Sequence, residues 1–365
     1  MKVQQHDLIS VLDAGGTGFK FSAVSQAKEV INPFTIPSAA DTLEEVLQKI
    51  ISGFRQVERE SGKKPRAISF SFPGPADYKN GIIGDLENLG HFRGGVALKA
   101  MLEDEFGIPV FINNDGDLFA YGEALAGLLP MANALLEKAG NPRRYNNLLG
   151  LTIGTGLGGG IVVNGKLLEG DNSAAGEINR MRNMSYTDTS AEDSVSIRGV
   201  KRAYCKATGM HHDECPEPQD IYEIATGKQK GDRQAALDAF SELAETAADT
   251  IANAITLIDG LVVIGGGLSG AWPLFLQQIV NHLNGHFTDL QGRNVSRLEI
   301  NAVNLETEEG RRKFVATSGS MIRVPFSDKQ LWYDPVKLCG IGISKLGTSS
   351  AVAIGAYAYA MEKLA

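Results

Sequence analysis

Carboxylates and amides recur in this chain beside glycine-rich turns, a pairing suited to phosphate and hydroxyl chemistry. Asp13 opens the stretch Asp13-Ala14-Gly15-Gly16-Thr17-Gly18, directly after an apolar run from Leu8 to Leu12. Amide N–H groups in such a turn can face a phosphate. A carboxylate there is unfavourable unless a cation lies between, so Asp13 marks a candidate Mg²⁺ site, held through water. The plainer reading of Asp13 is a turn-capping residue. Asp115 ends Asn113-Asn114-Asp115, after the apolar strand Val110 to Ile112. Ligands of α/β sheets gather at that end of the strands. A carboxylate there, with Asn114 beside it, can bond a substrate hydroxyl and take its proton. It can equally cap the helix that follows, and the residues leave both readings open.

The densest candidate is Gly154-Thr155-Gly156-Leu157-Gly158-Gly159-Gly160, with five glycines in seven positions. It lies between the apolar runs Leu149, Leu151, Ile153 and Ile161, Val162, Val163. A strand, a glycine turn and a strand let backbone approach a ligand where any Cβ would collide. The turn also fits G-x-G-x-x-G, but a dinucleotide site needs those glycines to open a helix. Here β-branched residues follow, then Asn164-Gly165, a hairpin-turn signal. A third turn, Gly265-Gly266-Gly267-Leu268-Ser269-Gly270, follows the strand Leu261 to Ile264 and would let a flat base or ribose lie on bare backbone. Ser269 is no hydrolase nucleophile, because the G-x-S-x-G spacing fails at Ala271.

Strands and helices must position these turns. Phe19 to Val24 reads as a strand returning from the first turn, so the chain opens with the device found again at 154–160. Thr42 to Arg59 has helical spacing at Leu43, Val46, Leu47, Ile50, Ile51 and Phe54, closed by Gly62 and Pro65. Ala67 to Phe72 is a strand broken at Pro73-Gly74-Pro75; Asn88-Leu89-Gly90 and a helix from Val96 to Phe106 come next. A helix from Gly116 to Leu128 carries Ala120, Ala124 and Leu125 on one face. Residues 130–147 read as a surface insertion with Arg143 and Arg144 solvated, and 178–231 as a polar, loop-rich helical region. Asp238 to Ile258 is a long amphipathic helix, and another begins near Trp272. Residues 306–347 are less readable. Ser349 to Leu364 is an Ala-rich helix with Ala351, Ile354, Ala358 and Met361 as its buried stripe.

At 365 residues the chain suggests two domains. A hydrophobic content of 43% and a charged content of 21% describe an ordinary globular protein. The net charge of −8 argues against a nucleic-acid partner. Cys205, Cys215 and Cys339 are too few, and odd in number, for a disulfide framework, which points to a reducing compartment. Cys205, His211, His212 and Cys215 match no strong zinc spacing. No signal core and no apolar run of membrane length is evident, so a cytoplasmic location without membrane partners is expected.

With these motifs in order, the chain resembles the ROK family of repressors and sugar kinases, in the hexokinase–actin–Hsp70 superfamily. DAGGT at 13–17 resembles the first phosphate motif, FPGPAD at 72–77 the Pro-Gly-Pro segment, and NDGDLFAYGE at 114–123 the segment with the catalytic Asp. GTGLGGGIVVNGKLLEG at 154–170 resembles the second phosphate motif and AAGE at 174–177 the sugar-contacting Glu. VIGGGLS at 263–269 resembles the adenosine motif and GTSSAVAIGAYA at 347–358 the closing helix. The resemblance implies two ribonuclease-H-like (actin-like ATPase) α/β domains with a cleft between them: 1–115 plus 349–365, and 116–348. It implies a homodimer and an ATP- and Mg²⁺-dependent sugar kinase of the glucokinase kind. Asp115 would be the general base on a hexose or N-acetylhexosamine hydroxyl. Asp13, Gly15, Gly16, Thr17, Gly154, Thr155, Gly156 and Gly158 would serve the phosphates, Gly266 and Gly267 the adenosine, and Asn114, Glu177 and Glu192 the sugar.

The departures are specific. Family members continue A-G-E-x-G-H into a zinc-binding Cys cluster, whereas Glu177 is followed by Ile178, Asn179 and Arg180, and no Cys occurs before Cys205. The structural zinc site is therefore expected to be absent. Arg180 in the His position would bring a permanent charge that favours an acidic or modified substrate, unless it points to solvent. Glu192 followed by Ser196 corresponds to a Glu-x-x-x-Ser sugar motif. Too few residues precede Leu8 for the helix-turn-helix of family repressors. The missing zinc cluster motivates a second reading, a non-catalytic sugar or sugar-phosphate sensor that keeps the kinase fold.

Overall fold

A computed structural model of the chain describes residues 7–74, 76–84 and 90–365. It divides into two compact units, one of Met1–Gly127, Gly159–Gly176 and Lys345–Ala365, the other of Leu128–Gly158 and Glu177–Ser344. Pro75 and the Asn88-Leu89 pair singled out above lie outside the described residues.

The first unit opens on β1 (Ile9–Ala14) and β2 (Gly18–Ser25), an antiparallel hairpin around the first glycine turn. β3 (Lys28–Glu29) and β4 (Phe34–Pro37) both pair with β2. α1 (Leu43–Ser61) starts at Thr42, whose side chain accepts from the Glu45 N–H, and stops at Gly62 in the left-handed region. Its Val46, Ile50, Phe54 and Val57 share one buried cluster with Phe19 and Phe21 of the sheet. β5 (Ala67–Ser71) runs parallel to β1, followed by the short antiparallel pair β6 (Ala76–Asp77) and β7 (Ile82–Ile83). α2 (Leu98–Phe106) leads to β8 (Val110–Asn113), parallel to β5, and to α3 (Asp115–Ala126). The strand order β3-β2-β1-β5-β8 places two parallel crossovers after an antiparallel hairpin. The expected apolar face of α3 is corrected. Gly116 through Glu123 are all buried, while Leu125 is exposed.

α4 (Leu128–Lys138) opens the second unit and overturns the solvated insertion expected at 130–147. Leu128, Leu129, Ala132 and Leu136 are its buried face. Pro130 sits in the first turn, where its missing N–H costs nothing. Arg143 is not solvated either: it pairs with Asp334 at 3.1 Å and donates to the Val336 carbonyl at 2.8 Å. α3 and α4 together, Asp115–Lys138, are long and apolar enough to cross a membrane by length and composition only; half of that apolar window is buried in the fold, as in the core helix of a soluble protein.

β9 (Leu148–Ile153) and β10 (Leu157–Val163) flank the second glycine turn, and β10 pairs with β11 (Lys166–Leu167). Asn164 and Gly165 both take positive φ, 53° and 73°, as the hairpin signal requires. α5 (Ile197–Thr208), α6 (Pro218–Ala225) and the long α7 (Arg233–Ile258) pack together before β12 (Leu261–Gly265) and α8 (Trp272–Leu283). Cys205 and Cys215 are bridged, a single disulfide in a chain whose three cysteines read as too few for a disulfide framework; the end of α5 and the turn after it bring their Cα atoms to 6.0 Å. The hairpin β13 (His286–Thr288) and β14 (Asn294–Ser296) precedes β15 (Asn301–Asn304) and α9 (Glu308–Val315). A second hairpin, β16 (Ser320–Arg323) and β17 (Gln330–Tyr333), leads into β18 (Leu338–Ile343). β9, β12, β18 and β15 form a parallel sheet in that order.

The chain closes in the first unit with α10 (Thr348–Lys363), packed on α3 and on β1, β2 and β5. It is not amphipathic, as a single buried stripe would require. All ten residues from Ala351 to Ala360 are buried, and Met361 is only partly so.

Candidate active site

Register alone assembles the first part of the site. Asp13 lies opposite Ser71, and Ser71 opposite Asn113, so three polar residues line up across the ends of β1, β5 and β8. The Ser71 hydroxyl donates to Asp13 Oδ1 at 3.1 Å and fixes that carboxylate. Asn113 is buried; its Oδ1 accepts from the Asn114 N–H at 2.7 Å, while its Nδ2 has no partner among the described residues. Beyond Asp13 the Gly15 N–H donates to the Gly18 carbonyl at 3.0 Å, and Ser38 Oγ holds the Gly16 carbonyl at 2.8 Å. The tied turn leaves Gly15, Gly16 and Thr17 exposed.

Asn114 resolves the capping question. It is the N-cap of α3, its Oδ1 accepting from the Gly116 N–H at 2.7 Å. Asp115 is therefore the first helical residue, with its carboxylate reaching solvent while Oδ1 also accepts from that N–H at 2.9 Å. The first turn of α3 lies directly on the Gly159-Gly160 backbone: a Cβ on Gly116 would come within 2.6 Å of the Gly159 carbonyl oxygen. Only glycine allows that approach, and it fixes where Asp115 stands.

The second unit brings the other two glycine turns together at the carboxyl ends of β9 and β12. Gly266, at φ +89°, packs against Ile153, where a Cβ would meet the backbone at 2.4 Å. The Leu268 N–H donates to the Ile153 carbonyl at 3.0 Å, tying one turn to the strand that enters the other. The Gly154 N–H closes the second turn on the Gly156 carbonyl at 2.9 Å. The N–H groups of Thr155 and Gly267 have no protein acceptor among the described residues. Bare, outward-facing amides of this kind suit phosphate oxygens or ribose.

Glu192 sits on this turn. Its Oε2 accepts from the Leu157 N–H at 3.0 Å, and its Oε1 from Arg198 at 3.0 Å. Ser196, buried, caps α5 by accepting from the Gly199 N–H at 3.2 Å. Glu177 and Arg180 are both exposed, and Glu177 makes no hydrogen bond to the glycine turns among the described residues. Sequence reasoning missed Ser71, Ser38 and Leu157. Ser71 and Ser38 carried no motif, but Gly156 was a signal for Glu192, since a Cβ there would come within 2.5 Å of Glu192 Oε2.

The donor set fits Mg²⁺ of the loosely held kind. Among the described residues no three His, Cys, Asp or Glu side chains converge on a metal, whereas Asp13 offers one oriented carboxylate. Mg²⁺ keeps most of its waters and is commonly held by one or two carboxylates together with substrate phosphates.

The chain is similar to known proteins over most of its length. The ROK family matches residues 9–310. A solved glucokinase from Parabacteroides distasonis is 46% identical, covers 98% of each chain and superposes with a TM-score of 0.88. The glucokinase of Halalkalibacterium halodurans is 29% identical over 299 residues, 75% of this chain and 84% of that one. The N-acetyl-D-glucosamine kinase of Vibrio cholerae is 27% identical over 285 residues, 75% and 88% of the two chains.

Proposed function

The chain belongs to the ROK family and is a sugar kinase with two actin-like α/β units, and from that premise we propose that it transfers the terminal phosphoryl group of ATP to a hydroxyl of a hexose or N-acetylhexosamine. The observation that carries the reading is the placement of Asp115, exposed in the first turn of α3 just after the carboxyl end of β8, with Asn114 as the N-cap of that helix. Asp115 accepts the hydroxyl proton as the acceptor oxygen attacks, a contribution of about 10²–10⁴-fold. Gly16, Thr17, Thr155, Gly156 and Gly158 hold phosphate oxygens through backbone N–H groups, while the N–H groups of Gly15 and Gly154 close the two turns and keep bare backbone towards the ligand. Gly266 and Gly267 receive the adenosine. ATP supplies the phosphoryl group, and Mg²⁺ neutralises its charge. Asp13, oriented by Ser71, would hold that ion through water.

Asn114 and Glu177 bond the sugar, and Glu192 joins them if it leaves the Leu157 amide when sugar binds. The relatives named for glucose and for N-acetylglucosamine phosphorylation support this substrate class. Homodimers in the cytoplasm complete the proposal. Positioning and charge neutralisation supply the rest of the rate. The sensor reading loses support because the three relatives named above are kinases. Phosphorus NMR of the chain with ATP, Mg²⁺ and glucose or N-acetylglucosamine tests the proposal. A sugar-phosphate resonance growing with ADP is expected; intact ATP across a broad hexose panel would reject it.

A further inference from the structure

The motif read at 154–170 closes on Glu169, a residue to which no part in phosphate binding falls. Glu169 follows β11 and heads a loop, residues 169–176, that contains neither helix nor strand. Gly170, Ser173 and Gly176 in that loop take positive φ, at 72°, 53° and 83°, a conformation that costs Ser173 energy. The Ala175 N–H closes the loop on the Glu169 carbonyl with a long bond of 3.3 Å. Asp171 and Asn172 at its tip are exposed. A segment with so little packing keeps its shape through whatever fixes its ends.

α10 fixes the first end. Tyr359 Oη donates to Glu169 Oε1 at 2.5 Å and Lys363 Nζ donates to Oε2 at 2.7 Å, so both carboxylate oxygens are held. The two donors are one helical turn apart and share a face of α10. Tyr359 is buried, with its ring edge-on to Phe111 at 6.3 Å. Burial first, then the bond to Glu169 and the nearby Asp117 and Glu362 carboxylates, hold that phenol far above its ordinary pKa, so it stays a donor. The ion pair contributes less, since Lys363 and Glu169 have 36% and 34% side-chain exposure.

The second end meets the candidate active site. A Cβ on Gly176 would stand 3.3 Å from Gly160 Cα and 3.4 Å from the Gly159 carbonyl oxygen, the same backbone on which the first turn of α3 lies. Glu177 follows directly in sequence. We propose that Tyr359 and Lys363 are positioning residues for sugar binding, which through Glu169 set the loop that leads into Glu177 and braces the backbone beside the start of α3. The proposal rests on the sugar-kinase reading above. A second bond of the same kind, Tyr121 Oη to Glu362 Oε2 at 2.6 Å, ties α10 to α3 and not to the loop, and supplies the control.

Steady-state kinetics and amide hydrogen exchange test it in Tyr359→Phe, which keeps the ring and removes the hydroxyl. The sugar KM should rise roughly 2- to 10-fold, the scale of one hydrogen bond. kcat and the ATP KM should stay within about twofold of wild type, and exchange at 170–176 should quicken. Glu169→Gln, whose side-chain carbonyl still accepts from the phenol, should retain most of the sugar affinity, whereas Glu169→Leu should match Tyr359→Phe. Tyr121→Phe should leave both the sugar KM and the loop exchange as in wild type. An unchanged sugar KM in Tyr359→Phe, an equal rise in Tyr121→Phe, or unchanged exchange in the loop would each overturn the proposal. Exchange needs no turnover: absence of phosphorylated product in wild type would strike the kinase reading, while exchange that quickens in Tyr359→Phe and not in Tyr121→Phe would still uphold the anchor.

Discussion

Two side chains at the site act through others, and their effects are separable. Ser71 gives Asp13 a hydrogen bond worth about 0.5–1.5 kcal/mol. Ser71→Ala should therefore raise the Mg²⁺ concentration for half-maximal turnover roughly 2- to 10-fold; titration of Mg²⁺ at saturating sugar reads it, and an unchanged midpoint would remove Ser71 from the account. Glu192→Ala strips the Leu157 N–H of its acceptor and should lower kcat/KM about 10-fold, while Glu192→Gln, whose side-chain carbonyl still accepts, should retain most of it. Arg198→Ala should change turnover less than about twofold, because that pair is exposed. The acids themselves were legible, since Asp13 and Asp115 end strands beside turns. Their supports were not: Ser71 meets Asp13 across a parallel register, and Leu157 lies 35 residues from Glu192. Contacts of that range follow from the fold and leave no local pattern.

α3 and α10 meet through glycine. A Cβ on Gly355 would come within 1.8 Å of the Leu118 carbonyl oxygen, and one on Gly122 within 1.9 Å of the Ala351 oxygen. Gly355→Ala should then destabilise by roughly 1–3 kcal/mol or more through overpacking, even though alanine is the better helix former. Urea unfolding measures it, and a neutral or stabilised variant would contradict the packing. Elements with strong local signals were readable: the period of α1, the end of α7 at Ile258 and the Asn164-Gly165 turn all stand where the residues put them, although α7 begins at Arg233, before the Asp238 the pattern suggested. α4 was misread because Pro130 breaks the pattern on paper while fitting a first helical turn, and because the partner of Arg143 is 191 residues away. α10 reads as amphipathic only because alanine hides how completely it is enclosed. Strands β16 and β17 were illegible for a physical reason, since apolar residues on both faces erase the alternation that marks a half-buried strand.

At the scale of the whole molecule, stability should fall on the alkaline side. Burial pushes the Cys339 thiol from 9.0 up to about 12 and the Tyr145 phenol from 10.0 up to about 12. The folded chain keeps protons that the unfolded chain loses, so stability is complete below about pH 9 and declines as pH rises toward 12. Tyr121 and Tyr359, also raised by burial, extend the trend. The urea midpoint should be lower at pH 10.5 than at pH 8, and Cys339→Ala should flatten part of that slope; equal midpoints would contradict it. Length suggested two units, and the order of the motifs gave the α/β class and located the family across residues 9–310. The central claim is that Asp115 takes the proton of a sugar hydroxyl. Steady-state ADP release from ATP and Mg²⁺, with calorimetric sugar binding alongside, tests it in wild type and Asp115→Asn. The account predicts a loss of at least about 100-fold in kcat with sugar affinity held within a few-fold. Turnover preserved in Asp115→Asn would contradict it.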